Sequence, residues 1–260
     1  LVVVAVILSF APRNELNDDT VAYFDERIEF RRAADFMQDN LTGFSSIATS
    51  LKAGEENGIY DPEFLRKVED FAQWYRRQPG VVHVDSFTEI IKRLNRNMHG
   101  DDPAWHRIPD DRELIAQYVL LYELSLPFGL DMNTQVNFDK SATLINVRMK
   151  DMKSREMIDL EKRARQWLQE NMPESVSVGS SVAMMFAHNG QSNIYSMMKG
   201  SVLALVLISL TLIIALRSVR FGLLSMLPNA FPAAMAFGFW GAFVAEVNLA
   251  VSAVFSITLG

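Results

Sequence analysis

Apolar and polar residues alternate along 45–51 (SSIATSL) and again along 142–149 (ATLINVRM), the two-residue period of a half-buried strand. Each run is followed by an apolar stripe at helical spacing. After the first, Asp61-Pro62 opens a helix that carries Leu65, Val68, Phe71, Ala72 and Tyr75, and Gln78-Pro79-Gly80 ends it. A strand resumes at 81–84. After the second, 154–171 carries Met157, Ile158, Leu160, Ala164, Trp167 and Leu168. Asn171-Met172-Pro173 ends that helix, and 175–178 reads as strand again. Two β-α-β units in one domain predict an α+β, ferredoxin-like (split βαβ) packing with helices on one face of a sheet. Between them, 89–98 and 113–124 have helical patterns separated by the polar linker 99–112. The apolar turn Leu126-Pro127-Phe128-Gly129-Leu130 is expected to cover the sheet, with contact to another domain as the alternative.

The pattern changes abruptly near Lys199. Residues 201–216 (SVLALVLISLTLIIAL) are uncharged and, with Met197, Met198 and Gly200, approach the roughly 20 residues that cross a hydrocarbon core. Residues 221–245 form a second uncharged stretch, and 247–260 open a third. Soluble helices need a polar face, and these stretches have none. Arg217-Ser218-Val219-Arg220 is a short basic turn of the kind that faces the cytoplasm. The preceding domain is then extracytoplasmic. Residues 1–10 (LVVVAVILSF) read as the last turns of an earlier span, with a signal-peptide core ending at Ser9-Phe10-Ala11 as the rival. The expected organisation is therefore 1–10, the end of a first span; 11–198, an outside domain; 199–216 and 221–245, two spans; and 247–260, the start of another. In the second of these spans Ala230, Ala234, Gly238 and Ala242 form a small-residue ridge that lets another helix approach, with Pro228 and Pro232 near its beginning.

Charge sharpens this division. From Gly200 onward the ionisable side chains are Arg217, Arg220 and Glu246, a net +1 within a chain of −6, so the part before Gly200 carries −7. An acidic domain lacks the basic face that nucleic acid requires. Cysteine is absent, which excludes disulfides and thiolate metal sites. No catalytic constellation emerges and no cofactor or metal is expected. His99, Asp101, Asp102 and His106 sit in a hydrophilic linker without helical pairing and read as solvated. Gly179-Ser180-Ser181 lacks the second glycine of a nucleophile elbow. His83 and His188 read as structural, and Asp18-Asp19 and Glu55-Glu56 as solvated surface. Met184, Met185, Phe186, Met197 and Met198 gather soft apolar side chains where the domain meets the span. Such a cluster suits a path for a lipid-like substrate, and packing of the junction is the plainer alternative.

Several segments also have familiar wording: Phe30-Arg31-Arg32 with Asn40-Leu41-Thr42-Gly43; Gly58-Ile59-Tyr60-Asp61-Pro62; Tyr122-Glu123-Leu124-Ser125-Leu126-Pro127; Leu216-Arg217-Ser218; Leu227-Pro228-Asn229; and Thr258-Leu259-Gly260. Together they make a chain that resembles the resistance–nodulation–division (RND) superfamily, specifically the MMPL-like hydrophobe/amphiphile exporters related to Patched and sterol-sensing-domain proteins. The resemblance implies a proton-driven transporter of twelve helices in two repeats, with one periplasmic porter domain in each repeat. It makes this chain most of the first half, whose partners would be membrane lipids, a hydrophobic or amphiphilic substrate and the second half of the same transporter. A homo-oligomer or a periplasmic accessory protein would be a further partner. The family's proton-relay carboxylates would follow Gly260, and Glu246, at a loop, is not one of them. The rival reading is a membrane-anchored sensor or assembly protein whose α/β domain binds a ligand or partner.

Overall fold

The computed structural model describes residues 6–16, 21, 24–41, 43, 45–128, 130–150, 152–224, 226–248 and 250–254, with backbone alone at 16, 223, 226, 227, 229, 230 and 233. The start of the proposed first span, Asp18-Asp19, Thr42, Gly129 and the closing Thr258-Leu259-Gly260 lie outside the described residues. The chain divides into two compact units. One, the α/β unit, comprises Phe24–Met152 and Met157–Met185. The other, the helical unit, takes the described residues of Leu1–Tyr23, Lys153–Glu156 and Phe186–Gly260.

The α/β unit contains α1 (Glu29–Asn40), β1 (Ser45–Lys52), α2 (Pro62–Arg76), β2 (Val81–Asp85), α3 (Phe87–Met98), α4 (Arg112–Ser125), β3 (Ala142–Met149) and most of α5 (Ser154–Asn171). Its sheet has the order β1-β3-β2 with both pairings antiparallel, so β1 and β2 run parallel with β3 between them. Ile47 pairs with Val147, and Val84 pairs with the same Val147 from the other side. The alternation predicted from sequence is realised: Ile47, Thr49 and Leu51 of β1 and Ile145, Val147 and Met149 of β3 are buried.

Against that face lie Leu65, Val68, Phe71, Ala72 and Tyr75 of α2 and Met157, Ile158, Leu160, Ala164 and Leu168 of α5, all buried. Phe71 stacks on Trp167 with ring centroids 4.9 Å apart, which joins the two helices side by side. Each large apolar side chain removed from water here contributes about 1.5–3 kcal/mol. Helix starts follow local chemistry. Asp61 accepts from the Glu63 amide at 3.0 Å, Ser86 from the Thr88 amide at 3.3 Å and Asp111 from the Glu113 amide at 2.8 Å.

Two expectations for this unit differ from what is seen. Residues 175–178 do not form a regular strand. Pro173–Ser175 is a short 3-10 turn, and the segment after it meets β1 through one bridge between Ala48 and Ser180. Side-chain hydroxyls take the place of ladder bonds: Ser175 donates to the Lys52 carbonyl, and Ser177 donates to that of Ser50 at 2.6 Å. The turn around Phe128 does not cover the sheet either. Phe128 and Leu130 are exposed, because the turn closes on itself through Leu130 N to Pro127 O at 3.0 Å.

The helical unit contains most of α6 (Val182–Leu216), then α7 (Val219–Leu224) and α8 (Met226–Phe243). Helix α6 is longer than the apolar pattern predicts. It begins at Val182 rather than near Lys199, and its 35 residues span about 52 Å. Its first four residues belong to the α/β unit. It ends with Arg217 in the left-handed conformation (φ 49°), and the Ser218 and Arg217 amides bond back to Ile213 and Ile214 at 3.3 Å each. The turn expected over 217–220 is confined to Arg217 and Ser218, and Val219 and Arg220 open α7. The stretch at 221–245 is divided between α7 and α8, and Pro232 lies within α8. Two-residue strands Glu15–Leu16 and Glu246–Val247 pair in parallel.

Candidate functional site

Two features stand out in chemistry: an apolar helical surface in one unit and a charged cleft in the other. On α6, Val202, Leu203, Val206, Leu207, Leu210 and Ile214 are each at least 50% exposed. Only 11% of its most apolar stretch is buried. A core helix of a water-soluble domain would be covered by its neighbours, whereas this one presents a broad exposed face of aliphatic side chains. Among the described residues it is the one helix long and apolar enough to cross a membrane. Ser209 and Thr211 return their hydroxyls to the carbonyls of Leu205 and Leu207 at 2.8 and 2.9 Å, which leaves no polar atom pointing outward from them.

Met184, Met185, Phe186, Met197 and Met198 all lie on α6. Met184 is buried, Met185 and Phe186 are about half exposed, and Met197 and Met198 are half-buried. The first two belong to the α/β unit and the other three to the helical unit. Met197 Sδ lies 3.5 Å from the Ser252 hydroxyl. Of the small-residue ridge on α8, Gly238 is buried, Ala234 is half-buried and Ala242 is exposed, while the Ala230 side chain is outside the described atoms. A Cβ on Gly238 would stand 2.3 Å from the Ile7 carbonyl oxygen, and one on Gly241 2.2 Å from that of Phe10. Residues 7–10 therefore lie directly against this helix, and Gly241, which the four-residue spacing does not include, is as tightly met as Gly238.

The charged cleft lies in the α/β unit, about 600 Å³ in volume, and is lined in part by Arg76, His83, Asp85, Glu89, Lys92 and His106. Glu69 partners three of the lining residues: it accepts from Lys92 Nζ at 2.9 Å and Gln73 Nε2 at 2.9 Å and pairs with Arg76 at 3.1 Å, and it also accepts from Thr88 Oγ1 at 2.6 Å. Lys92 also reaches Glu89 at 2.8 Å, and Glu89 meets His106 at 3.2 Å. Burial raises the Glu69 carboxyl, but the hydrogen bonds from Thr88, Lys92 and Gln73 outweigh it and hold the group below its usual 4.5. Glu89 is held low in the same way: burial is offset by Lys92 and His106, with Glu69 opposing.

This network ties α2 to α3 and to the loop that follows. The linker 99–112 is correspondingly more ordered than a solvated loop. His99 stacks on Trp105 at 3.7 Å and donates from Nδ1 to the Asn95 carbonyl at 2.7 Å. Asn95 in turn donates to the Trp105 and Arg107 carbonyls at 2.9 Å each. Asp102 caps the short turn at Ala104. His83 meets Asp85 at 3.0 Å at an exposed position, and His188 is exposed on α6. Among the described residues no group of three or more histidine and carboxylate side chains converges as a metal site. Ser86, the one hydroxyl lining the cleft, is committed to the α3 cap. The Glu69–Lys92–Glu89 cluster is invisible in one dimension, since its members sit on the flanks of two separate amphipathic helices.

Comparison with family models finds no match, and no curated protein matches this chain. Glu246, set aside above as a loop residue, lies in the short strand Glu246–Val247 and pairs with Lys153, with its carbonyl accepting from Trp240 Nε1 at 2.6 Å.

Proposed function

We propose that this chain is part of a proton-driven inner-membrane exporter of lipids or other hydrophobic or amphiphilic molecules, of the RND, MMPL-like type. In this reading the α/β unit is a ferredoxin-like porter domain on the periplasmic side, and α6 and α8 belong to a multi-pass bundle. The observation that carries it is the exposed aliphatic surface of α6, which water would not tolerate and a bilayer would. The basic turn at Arg217 and Arg220 supports an outside-to-inside direction for α6. The β1-β3-β2 order supports a split βαβ core, because β3 is inserted antiparallel between two parallel strands joined by α2.

Transport of a fluorescent lipid by the full-length protein in proteoliposomes tests the reading. Lipid movement is expected to stop when the proton gradient is collapsed. Unchanged movement without a gradient removes the coupling. The alternative, a membrane-anchored sensor, draws on the charged cleft, a shape suited to a small polar ligand. It predicts no lipid movement under either condition.

A further inference from the structure

We propose that Lys199, held over the Tyr195 ring, binds the phosphate of an outer-leaflet phospholipid whose acyl chains lie along the free face of α6. The inference rests on the membrane reading of the helical unit.

The two sides of α6 differ in burial. Ala187, Ile194, Ser201 and Ser209 are buried and recur every seven or eight residues, which draws one seam along the helix where its neighbours pack. Tyr195, Val202, Leu203, Val206 and Leu210 lie on the opposite side, each at least half exposed. Lys199 is exposed on that same side, one helical turn after Tyr195 and one before Val202. A charged side chain within a span turns to the bundle interior. Lys199 turns away from it, which at the end of an apolar run suits an ammonium that reaches the headgroups.

Length puts it at that level. About 27 Å of chain at helical rise separates Lys199 from Arg217, close to the ~30 Å of a hydrocarbon core, and no residue between them is ionisable. The exposed stripe from Lys199 to Leu210 runs about 16 Å, the depth of the acyl chains of one leaflet.

Charge complements the phosphate. From Val182 to Leu216 the helix contains no carboxylate, and Lys199 is its one lysine or arginine. Its Nζ lies over the Tyr195 ring at 4.7 Å and, among the described residues, meets no carboxylate within 4 Å. The described carboxylates of the helical unit stand elsewhere. Glu15 meets Arg155 at 3.8 Å, Glu246 pairs with Lys153, and Glu156 accepts from the Lys153 amide at 3.4 Å. An ammonium packed on a ring keeps N–H donors for an anion, and the aliphatic stripe that continues from it fits an anion carried on acyl chains.

The test uses the full-length protein in dodecyl maltoside, with bound molecules counted by native mass spectrometry. Three probes separate the sources: dioleoylphosphatidylglycerol, dioleoylglycerol without phosphate, and glycerol phosphate without chains. The phospholipid is expected to bind about tenfold more tightly than either of the others, and K199Q to remove about that tenfold preference. K199R, which keeps the charge, is expected to retain most of it, and R13Q to leave it unchanged. Equal binding of dioleoylglycerol, or full phospholipid preference in K199Q, overturns the site. An equal loss in R13Q makes the effect one of general charge and overturns it as well. Equal binding of glycerol phosphate with the same Lys199 dependence makes it a site for a soluble phosphate and overturns the lipid. If K199R also loses the preference, the positive charge is not the determinant and the proposal fails. Carbonate extraction of native membranes keeps the two readings apart. Protein released by carbonate sinks the membrane reading itself, whereas retained protein without the preference sinks only the headgroup site.

Discussion

Lys92 Nζ stands 2.9 Å from Glu69 and 2.8 Å from Glu89, so one nearly buried ammonium separates two carboxylates that would otherwise face each other across α2 and α3. Removing the cation and removing one anion are therefore unequal changes. E69Q keeps the Lys92–Glu89 pair and an acceptor for Thr88, and is expected to cost roughly 1.5–3 kcal/mol, the range for a hydrogen bond to a charged group. K92M leaves Glu69 with Arg76, Thr88 and Gln73 and Glu89 with Arg76 and His106, removes the cation between the two carboxylates, and is expected to cost more than E69Q. Thermal unfolding of the two variants in detergent checks the order; equal stability of K92M and wild type would show that the network contributes nothing.

Acid should weaken the same region. The folded-state values of Glu69 and Glu89 lie below their ordinary 4.5. Their contribution to stability is therefore fully present above about pH 4.5 and lost as pH falls through the depressed folded values. The loss of stability between pH 5 and 3 is expected to be shallower in an E69Q/E89Q double variant than in wild type. Parallel unfolding curves across that range would refute the assignment.

Tyr75 provides the opposite test. It is fully buried, and among the described residues its hydroxyl has no hydrogen-bond partner in good geometry. Burial pushes its phenol up to about 12; the nearby Thr49 hydroxyl offsets this in part and the Glu161 charge adds to it. Y75F discards an unsatisfied polar atom with little loss of volume, so stability at neutral pH is expected to be equal or up to about 1 kcal/mol higher. Because the folded value is raised, the tyrosine's contribution holds below about pH 10 and fades toward pH 12. Wild type should lose stability relative to Y75F over that window, read by denaturant titration of the two proteins side by side. A Y75F that is more than about 1 kcal/mol weaker at pH 7 would mean that the hydroxyl is bonded after all.

Two helix glycines should respond in opposite directions to one added methyl. At Gly200 a Cβ meets nothing within 4 Å, so G200A is expected to gain about 1 kcal/mol from helix propensity alone. At Gly241 the Cβ would press on the Phe10 backbone at 2.2 Å, and the cost of overpacking, about 1–3 kcal/mol, exceeds that gain. Opposite shifts in melting temperature are expected. A stabilised G241A would show that residues 7–10 do not lie against α8.

Much of the α/β unit was legible because its signals are local. The bounds of β3 and α5, the Asp61 start of α2 and the stripe from Leu65 to Tyr75 need only periodicity and capping chemistry, which neighbouring residues supply. The absence of a ladder at 175–178 was not legible, since it depends on Ser175 and Ser177 finding carbonyls on β1 more than a hundred residues away. Helix α1 carries a weaker local signal: Phe30, Ala33, Ala34 and Met37 recur at helical spacing, but two of the four are alanines.

By itself, the order of residues determined that a charged α/β segment precedes a stretch long and apolar enough to cross a membrane and that two arginines follow it, because hydrophobicity and helical period are properties of adjacent residues. Only the tertiary structure decided that Glu69, Lys92 and Glu89 share one cluster, that Gly241 seats the Phe10 backbone, and that Arg13 comes to the edge of α8. Those are meetings between distant segments, set by packing and by the need to satisfy buried charge, and no local pattern encodes which partner each group will find.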